Sequence, residues 1–234
     1  MRVLGIIPAR GGSKGVKDKN IRLVADQPLI SYAIQCAQES KLLTDTIVST
    51  DSEKIATVAK EYGGAVLMRP GELAEDSTPI VPVIAHILQT LTDMGKEPYD
   101  AIILLQPTSP IRTGENVDEV IQMLLDDPQT EGIISVVAMD DVHPARMYNL
   151  DENKGMHPFI EKGETLQRQE LKPVYYRNGC IYAVRTSSFH QNNSLMIANK
   201  KAYVMPLEWL ANVDDERDLV IADVLVKMWK EAKL

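Results

Sequence analysis

Arg10, Lys14, Lys17 and Lys19 fall close together in a stretch that also holds Gly11, Gly12 and Gly15. Glycine lets backbone N–H groups close on an anion with no Cβ in the way, and the four cations supply the opposing charge. The chemistry this composition suits is the binding of phosphate. Two standard phosphate loops are excluded, because Gly11-Gly12-Ser13-Lys14-Gly15 satisfies neither G-x-G-x-x-G nor G-x-x-x-x-G-K-[ST]. The competing reading is a basic, solvated surface loop. A second stretch, Gln106-Pro107-Thr108-Ser109-Pro110, offers a primary amide in a turn whose φ angles two prolines restrict. Such an amide both donates and accepts, which suits the hydroxyls or amide of a sugar; alternatively it serves its own turn.

The string Ile7–Asn20, IPARGGSKGVKDKN, resembles the N-terminal signature of the acylneuraminate cytidylyltransferases, which make CMP-sialic acid and its relatives. Leu105-Gln106-Pro107-Thr108-Ser109-Pro110 and Arg177-Asn178-Gly179-Cys180-Ile181-Tyr182 resemble later motifs of that family, in the same order. The resemblance implies that Ala9, Arg10, Gly11, Gly12, Ser13, Lys19 and Asn20 meet a nucleoside triphosphate. Arg69, in a segment similar to the family's RP-x-ELA-x-D, joins them; its other reading is an ion pair with Glu72 or Asp76 that holds the loop. Gln106, Arg146, Arg168, Asn178 and Tyr182 fall to the acceptor sugar, with the two arginines matched to a carboxylate. His143 reads as structural.

The family's acidic pair, D-x-D, corresponds to Asn212-Val213-Asp214, so one acid remains to hold Mg²⁺ with Asn212 beside it. Asp214 also reads as a helix N-cap. A second departure is Tyr176, where some relatives place a cation two positions before the Asn of the NG motif. The implied reaction is attack by the anomeric hydroxyl of a nonulosonic acid on the α-phosphorus of CTP, with Arg10, Lys19 and Asp214 catalytic. Rival readings are a legionaminic acid or Kdo cytidylyltransferase and a non-catalytic nucleotide-binding subunit.

Positioning these groups requires strands that end at a common rim. Val3–Ile7, Thr46–Asp51, Ala65–Met68, Ala101–Leu105, Gly132–Val137 and Lys201–Met205 read as strands. Between them, Pro28–Ser40, Glu53–Tyr62 (capped by Ser52), Ile80–Met94, Gly114–Asp126 and Asp215–Lys230 carry helical spacing. This alternation predicts an α/β fold built from βαβ units, whose ligands lie beyond the carboxyl ends of the strands, placing Arg10, Asp51, Arg69 and Gln106 along one edge. The resemblance sharpens it to a three-layer Rossmann-like nucleotide-diphospho-sugar transferase fold, mostly parallel, in a single domain spanning 1–234. Residues 138–175, polar and without long periodicity, form an inserted arm that the resemblance assigns to homodimerisation and to the sugar site across the subunit interface.

The 25 Lys+Arg against 33 Asp+Glu leave a net charge of −8, which disfavours nucleic acid and anionic membrane as partners. Residues 1–22 reverse the balance, with six basic residues and one acidic. No stretch reads as a membrane span, and the two cysteines suggest neither a disulfide framework nor a metal cluster, which fits a reducing cytoplasm.

Overall fold

The computed structural model describes residues 1–12, 15–139 and 142–234. Its centre is a seven-stranded sheet. In chain order the strands are β1 (Val3–Pro8), β4 (Asp45–Thr50), β5 (Val66–Met68), β6 (Ala101–Leu104), β7 (Gly132–Ala138), β10 (Tyr175–Arg185) and β11 (Lys200–Met205). They lie side by side as β11-β7-β10-β6-β1-β4-β5, and β10 alone runs antiparallel to its two neighbours. Two short hairpins, β2 (Leu23–Val24) with β3 (Gln27–Pro28) and β8 (Tyr148–Leu150) with β9 (Met156–Pro158), stand apart from it.

Parallel strands covered on both faces must be apolar throughout, and β1 and β6 are buried along nearly their whole length. On one face α1 (Leu29–Glu39), α2 (Glu53–Glu61) and α4 (Gly114–Asp126) pack over Val3, Ile7, Ile103, Ile133 and Val137. On the other, α3 (Ile80–Asp93) and α5 (Thr186–Asn192) pack over Leu4, Ile6, Ile102 and Val184. The predicted three layers are therefore present. A third cluster joins α6 (Glu216–Lys230) to Val16, Val24, Ile111 and Val213, and so fastens the glycine-rich loop to the segment before α6.

Helix boundaries follow the capping chemistry. Ser52 accepts a hydrogen bond from the Ile55 amide at the start of α2, as predicted. At α6 the cap is Asp215, whose side chain accepts from the Asp218 amide, so the N-cap reading of Asp214 is corrected by one residue. The short polar helix α5 and the β2–β3 hairpin carry too little periodicity to be read in advance.

The excursion after β7 closes on itself. Ala138 pairs with Tyr175, and the Met139 amide donates to the Val174 carbonyl at 3.0 Å, so chain departure and return are adjacent. Within it His143 is buried and structural: its Nδ1 accepts from the Ala145 amide at 3.0 Å and its Nε2 lies 3.0 Å from the Lys172 carbonyl.

Cys36 on α1 and Cys180 on β10 are free and buried. Burial pushes both thiols up to about 11 from an ordinary 9.0, although Arg112 nearby pulls them down. A raised thiol pKa contributes stability below about pH 9 that is lost as pH rises towards 11, because the unfolded chain ionises first. Both cysteines should resist iodoacetamide in the native protein at neutral pH and react in denaturant, and the urea midpoint should fall across that alkaline window. Rapid native labelling would contradict this environment.

Candidate active site

β1 delivers the glycine-rich loop to the carboxyl edge of the sheet, where the end of β4 receives it. The Ala9 amide donates to the Ser49 carbonyl at 2.9 Å and the Gly11 amide to Asp51 Oδ1 at 3.0 Å. Asn20, 5% exposed, spans the loop from the other side, its Nδ2 donating to the Arg10 carbonyl at 3.0 Å. Gly12 has open space around it. Ser13 and Lys14 lie outside the described residues. The loop's far end is pressed against the segment before α6: a Cβ on Gly15 would sit 2.2 Å from the Asp214 carbonyl oxygen, so no larger residue fits without parting the two.

Lys19 crosses that same junction. Its Nζ donates to the Val213 carbonyl at 2.8 Å and lies 3.4 Å from Asp214 Oδ1. Asp214 is in turn held by Asn212, whose Nδ2 donates to Asp214 Oδ2 at 2.6 Å, and by its own amide, which donates to Asp218 Oδ2 at 2.9 Å. The Asp214 side chain is nonetheless 72% exposed. One open carboxylate whose neighbours are a lysine and an amide fits Mg²⁺ that completes its shell with water and phosphate oxygens, and no cluster of three metal-binding side chains occurs among the described residues.

A cavity of about 580 Å³ opens over this edge, walled by Arg10, Lys19, Asn20, Arg69, Gln106 and Asp214 among others. Its volume falls within the range usual for small-molecule sites. Arg10 pairs with Asp76 at 2.6 Å. Arg69 is not paired with Glu72 or Asp76 as its alternative reading held; its Nη2 lies 3.9 Å from Asp51 Oδ1. Only 7% of Arg69 is exposed, burial lowers its pKa, and its Nε has no hydrogen-bond partner. A buried guanidinium so incompletely neutralised favours an incoming anion.

A second cavity, about 410 Å³, adjoins the first through Gln106. Its wall includes Tyr176, Arg177, Gly179, Tyr182 and Asn212. The Gln106 side-chain amide is half-buried and makes no hydrogen bond within the described residues, so it is free for a ligand. Gly179 adopts φ +77°, and a Cβ there would lie 3.0 Å from Ser109 Oγ and 3.3 Å from Gln106 Oε1. Asn178 also borders this cavity, but its side chain is buried and engaged: Oδ1 accepts from Ser135 Oγ at 2.6 Å and from the Cys180 amide at 3.2 Å. Tyr182 does double duty, bordering the cavity while packing on the α3 face. Burial raises its phenol pKa, against an opposing pull from Arg177. Arg146 and Arg168 sit exposed on the excursion and border neither cavity.

Several residues that shape the site were not singled out from sequence. The Thr108 carbonyl accepts from the Val213 amide at 2.8 Å, tying the proline turn to the Asp214 segment, while Asp76, offered by the sequence to Arg69, holds Arg10 instead. Arg112, 1% exposed, donates through Nη1 to the carbonyls of Gln106 at 2.9 Å, Ser109 at 2.8 Å and Cys180 at 3.2 Å. Its signal was a charge closing an otherwise uncharged, proline-pinned turn.

The comparisons bear on this arrangement of two adjoining polar cavities. A family model described as Cytidylyltransferase matches residues 4–219. An N-acylneuraminate cytidylyltransferase of Escherichia coli O18:K1:H7 is 30% identical over 94% of the chain and 51% of its own length, so the chain spans about half of that relative. A CMP-N,N'-diacetyllegionaminic acid synthase of Legionella pneumophila is 30% identical over 99% of both chains. The solved structure of a CMP:2-keto-3-deoxy-manno-octonic acid synthetase complexed with CTP shares the fold at a TM-score of 0.73 and 17% identity, covering 99% of this chain and 100% of that one. The sheet order, the glycine-rich loop at its edge and a family match over nearly the whole length place the chain in the cytidylyltransferase family.

Proposed function

We propose that this protein transfers a cytidylyl group from CTP to the anomeric hydroxyl of a nonulosonic acid and releases pyrophosphate. The observation that carries the reading is the pair of cavities meeting at Gln106, one where Arg10, Lys19 and Arg69 face Glu75, Asp76 and Asp214 and the other lined by amides, tyrosines and Arg177. The triphosphate occupies the first, where it competes with Asp76 for Arg10 and with Asp214 for Lys19. Charge that develops on the α-phosphoryl oxygens and on the departing pyrophosphate faces cations already oriented by the fold. Gln106 reaches from the shared wall to orient the attacking sugar.

Asp214 would hold Mg²⁺, with Asn212 as its neighbour, and the ion when bound supplies neutralisation of phosphate charge and favours an ionised nucleophile. No carboxylate or imidazole lines the second cavity among the described residues, and the Tyr182 phenol, raised by burial, keeps its own proton. The hydroxyl proton therefore passes to water or to a phosphate oxygen.

The excursion exposes Met147, Leu150, Met156, Phe159 and Leu166, an apolar surface that suits pairing with a second copy of the chain. Buried free thiols suit a reducing cytoplasm. No helix among the described residues is long and apolar enough to cross a membrane.

The test is incubation with CTP, Mg²⁺ and a panel holding N-acetylneuraminate, N,N'-diacetyllegionaminate and Kdo, followed by quantitation of pyrophosphate and CMP-sugar. CMP-nonulosonate with an equal amount of pyrophosphate is the expected result. CTP binding without product from any acceptor would instead favour a nucleotide-binding subunit, a reading that Asn212 in place of a second acid permits.

A further inference from the structure

The hydrogen bond from Asn212 to Asp214 crosses the wall between the two cavities, because Asn212 lines the second and Asp214 the first. On the Asp214 side of that wall the backbone is pinned twice in two residues. The Val213 amide donates to the Thr108 carbonyl at 2.8 Å, and the Asp214 amide donates to Asp218 Oδ2 at 2.9 Å. What the backbone leaves undetermined is the carboxylate itself, since a side chain 72% exposed can turn about χ1 and χ2 into solvent.

Asn212 removes that freedom. Its Nδ2 donates to Oδ2 at 2.6 Å, whereas Lys19 Nζ stands 3.4 Å from Oδ1 and makes its shorter bond, 2.8 Å, to the Val213 carbonyl. Oδ2 is thereby committed to a neutral donor, and Oδ1, more loosely held, is the atom left for a cation. The amide oxygen of Asn212 lies at the other corner of the side chain, 3.8 Å from where a Cβ on Gly179 would stand, so it offers no ligand atom on the Asp214 side. The neighbouring acids Asp215 and Asp218 are engaged in the cap of α6. Charge around the site balances: among the described residues lining the first cavity, Arg10, Lys19 and Arg69 oppose Glu75, Asp76 and Asp214. A wall with no excess of either sign does not concentrate a free divalent cation, and Mg²⁺ held through one carboxylate needs phosphate oxygens to complete its shell.

We propose that Asn212 is a positioning residue, not a metal ligand: it fixes the direction of the Asp214 carboxylate and, being uncharged, leaves a site that takes its divalent cation only together with the triphosphate. The proposal rests on the reading of Asp214 as the Mg²⁺ ligand and of the first cavity as the triphosphate site. A donor behind a ligating carboxylate holds the ligand atom ready without adding charge. The order of arrival follows, with cation and nucleotide entering as one complex.

The experiment leaves out the acceptor and uses Mn²⁺ as the probe, on wild type, Asn212→Ala, Asn212→Asp and Asp214→Asn, with the melting temperature as a control for folding. Binding of Mn²⁺ alone is followed by loss of its free EPR signal, and CTP affinity is measured by calorimetry in EDTA and again with Mn²⁺. Wild type should bind Mn²⁺ alone no better than Asp214→Asn does. Mn²⁺ should tighten CTP binding by wild type, and Asp214→Asn should lose that gain. Asn212→Ala should lose about tenfold of the gain or all of it, the usual cost of removing a group that orients a metal ligand, and keep its CTP affinity in EDTA. Asn212→Asp sets a second carboxylate against Oδ2 with no donor between them, so it should take up Mn²⁺ without nucleotide, about tenfold or more tighter than wild type. Wild type that takes up Mn²⁺ alone as tightly as Asn212→Asp, an Asn212→Ala or Asp214→Asn protein that keeps the full gain, or wild type whose CTP affinity ignores Mn²⁺ overturns the proposal. The catalytic reading fails separately: if no acid of the panel yields CMP-sugar, cytidylyl transfer is lost while the Mn²⁺ and CTP titrations still judge Asn212.

Discussion

Lys19→Met should lower turnover at saturating CTP by about a hundredfold or more, the scale on which removal of one oriented donor to a developing anion is usually felt. The substitution keeps the unbranched stem and deletes the ammonium. In the structure that ammonium is mostly enclosed, 14% of the side chain being exposed, and it is anchored to the Val213 carbonyl at 2.8 Å. A donor fixed before substrate arrives costs little to reorganise when charge builds on the triphosphate. The ammonium also lies 3.4 Å from Oδ1 of Asp214, the acid proposed to hold Mg²⁺. Pyrophosphate release under saturating CTP and acceptor is the measurement, with the melting temperature as a control for folding. A drop confined to KM for CTP would make Lys19 a binding residue only, and unchanged turnover would remove it from the chemistry.

Arg112→Ala should cost about 3–5 kcal/mol of stability, among the larger effects available to a single substitution. Arg112 is the largest of the fully buried side chains, and one nitrogen serves three carbonyls drawn from two separated segments. Removing it takes a charged donor from all three carbonyls, leaving that of Gln106 only its 3.3 Å bond from the Ser109 amide, and opens a void between the proline turn and β10. Against this stands relief of a buried charge whose Nε and Nη2 have no hydrogen-bond partner. The loss of three acceptors' partners outweighs that relief, because the carbonyls remain when the charge is gone. Arg112→Lys should lose less. Urea denaturation measures both, and an Arg112→Ala protein as stable as wild type would refute the account. Since the same turn carries Gln106, partly folded variants should also bind the acceptor weakly.

Local chemistry made much of the molecule readable. The runs Val3–Ile7 and Ala101–Leu105 are apolar because both faces of those strands are covered, and their helices announce themselves by spacing and by caps such as Ser52. Glycines and cations in one short stretch marked the candidate phosphate loop, because the groups proposed to meet an anion there are neighbours in the chain. The partners of that loop were another matter. Asp51 stands 40 residues beyond Gly11, and Val213 and Asp214 stand 194 and 195 residues beyond Lys19, so no window of sequence contains both sides of either contact.

The amino-acid sequence by itself determined which segments become strands and helices and where glycines and cations gather into one loop, since burial periodicity and backbone freedom act over a few residues. Only the tertiary structure decided that β10 runs against its neighbours, that Arg177 and Tyr182 border one cavity, and that Arg146 and Arg168 border neither. The reason is physical: the direction a strand side chain takes depends on its register with the next strand, and register is settled by packing between distant parts of the chain.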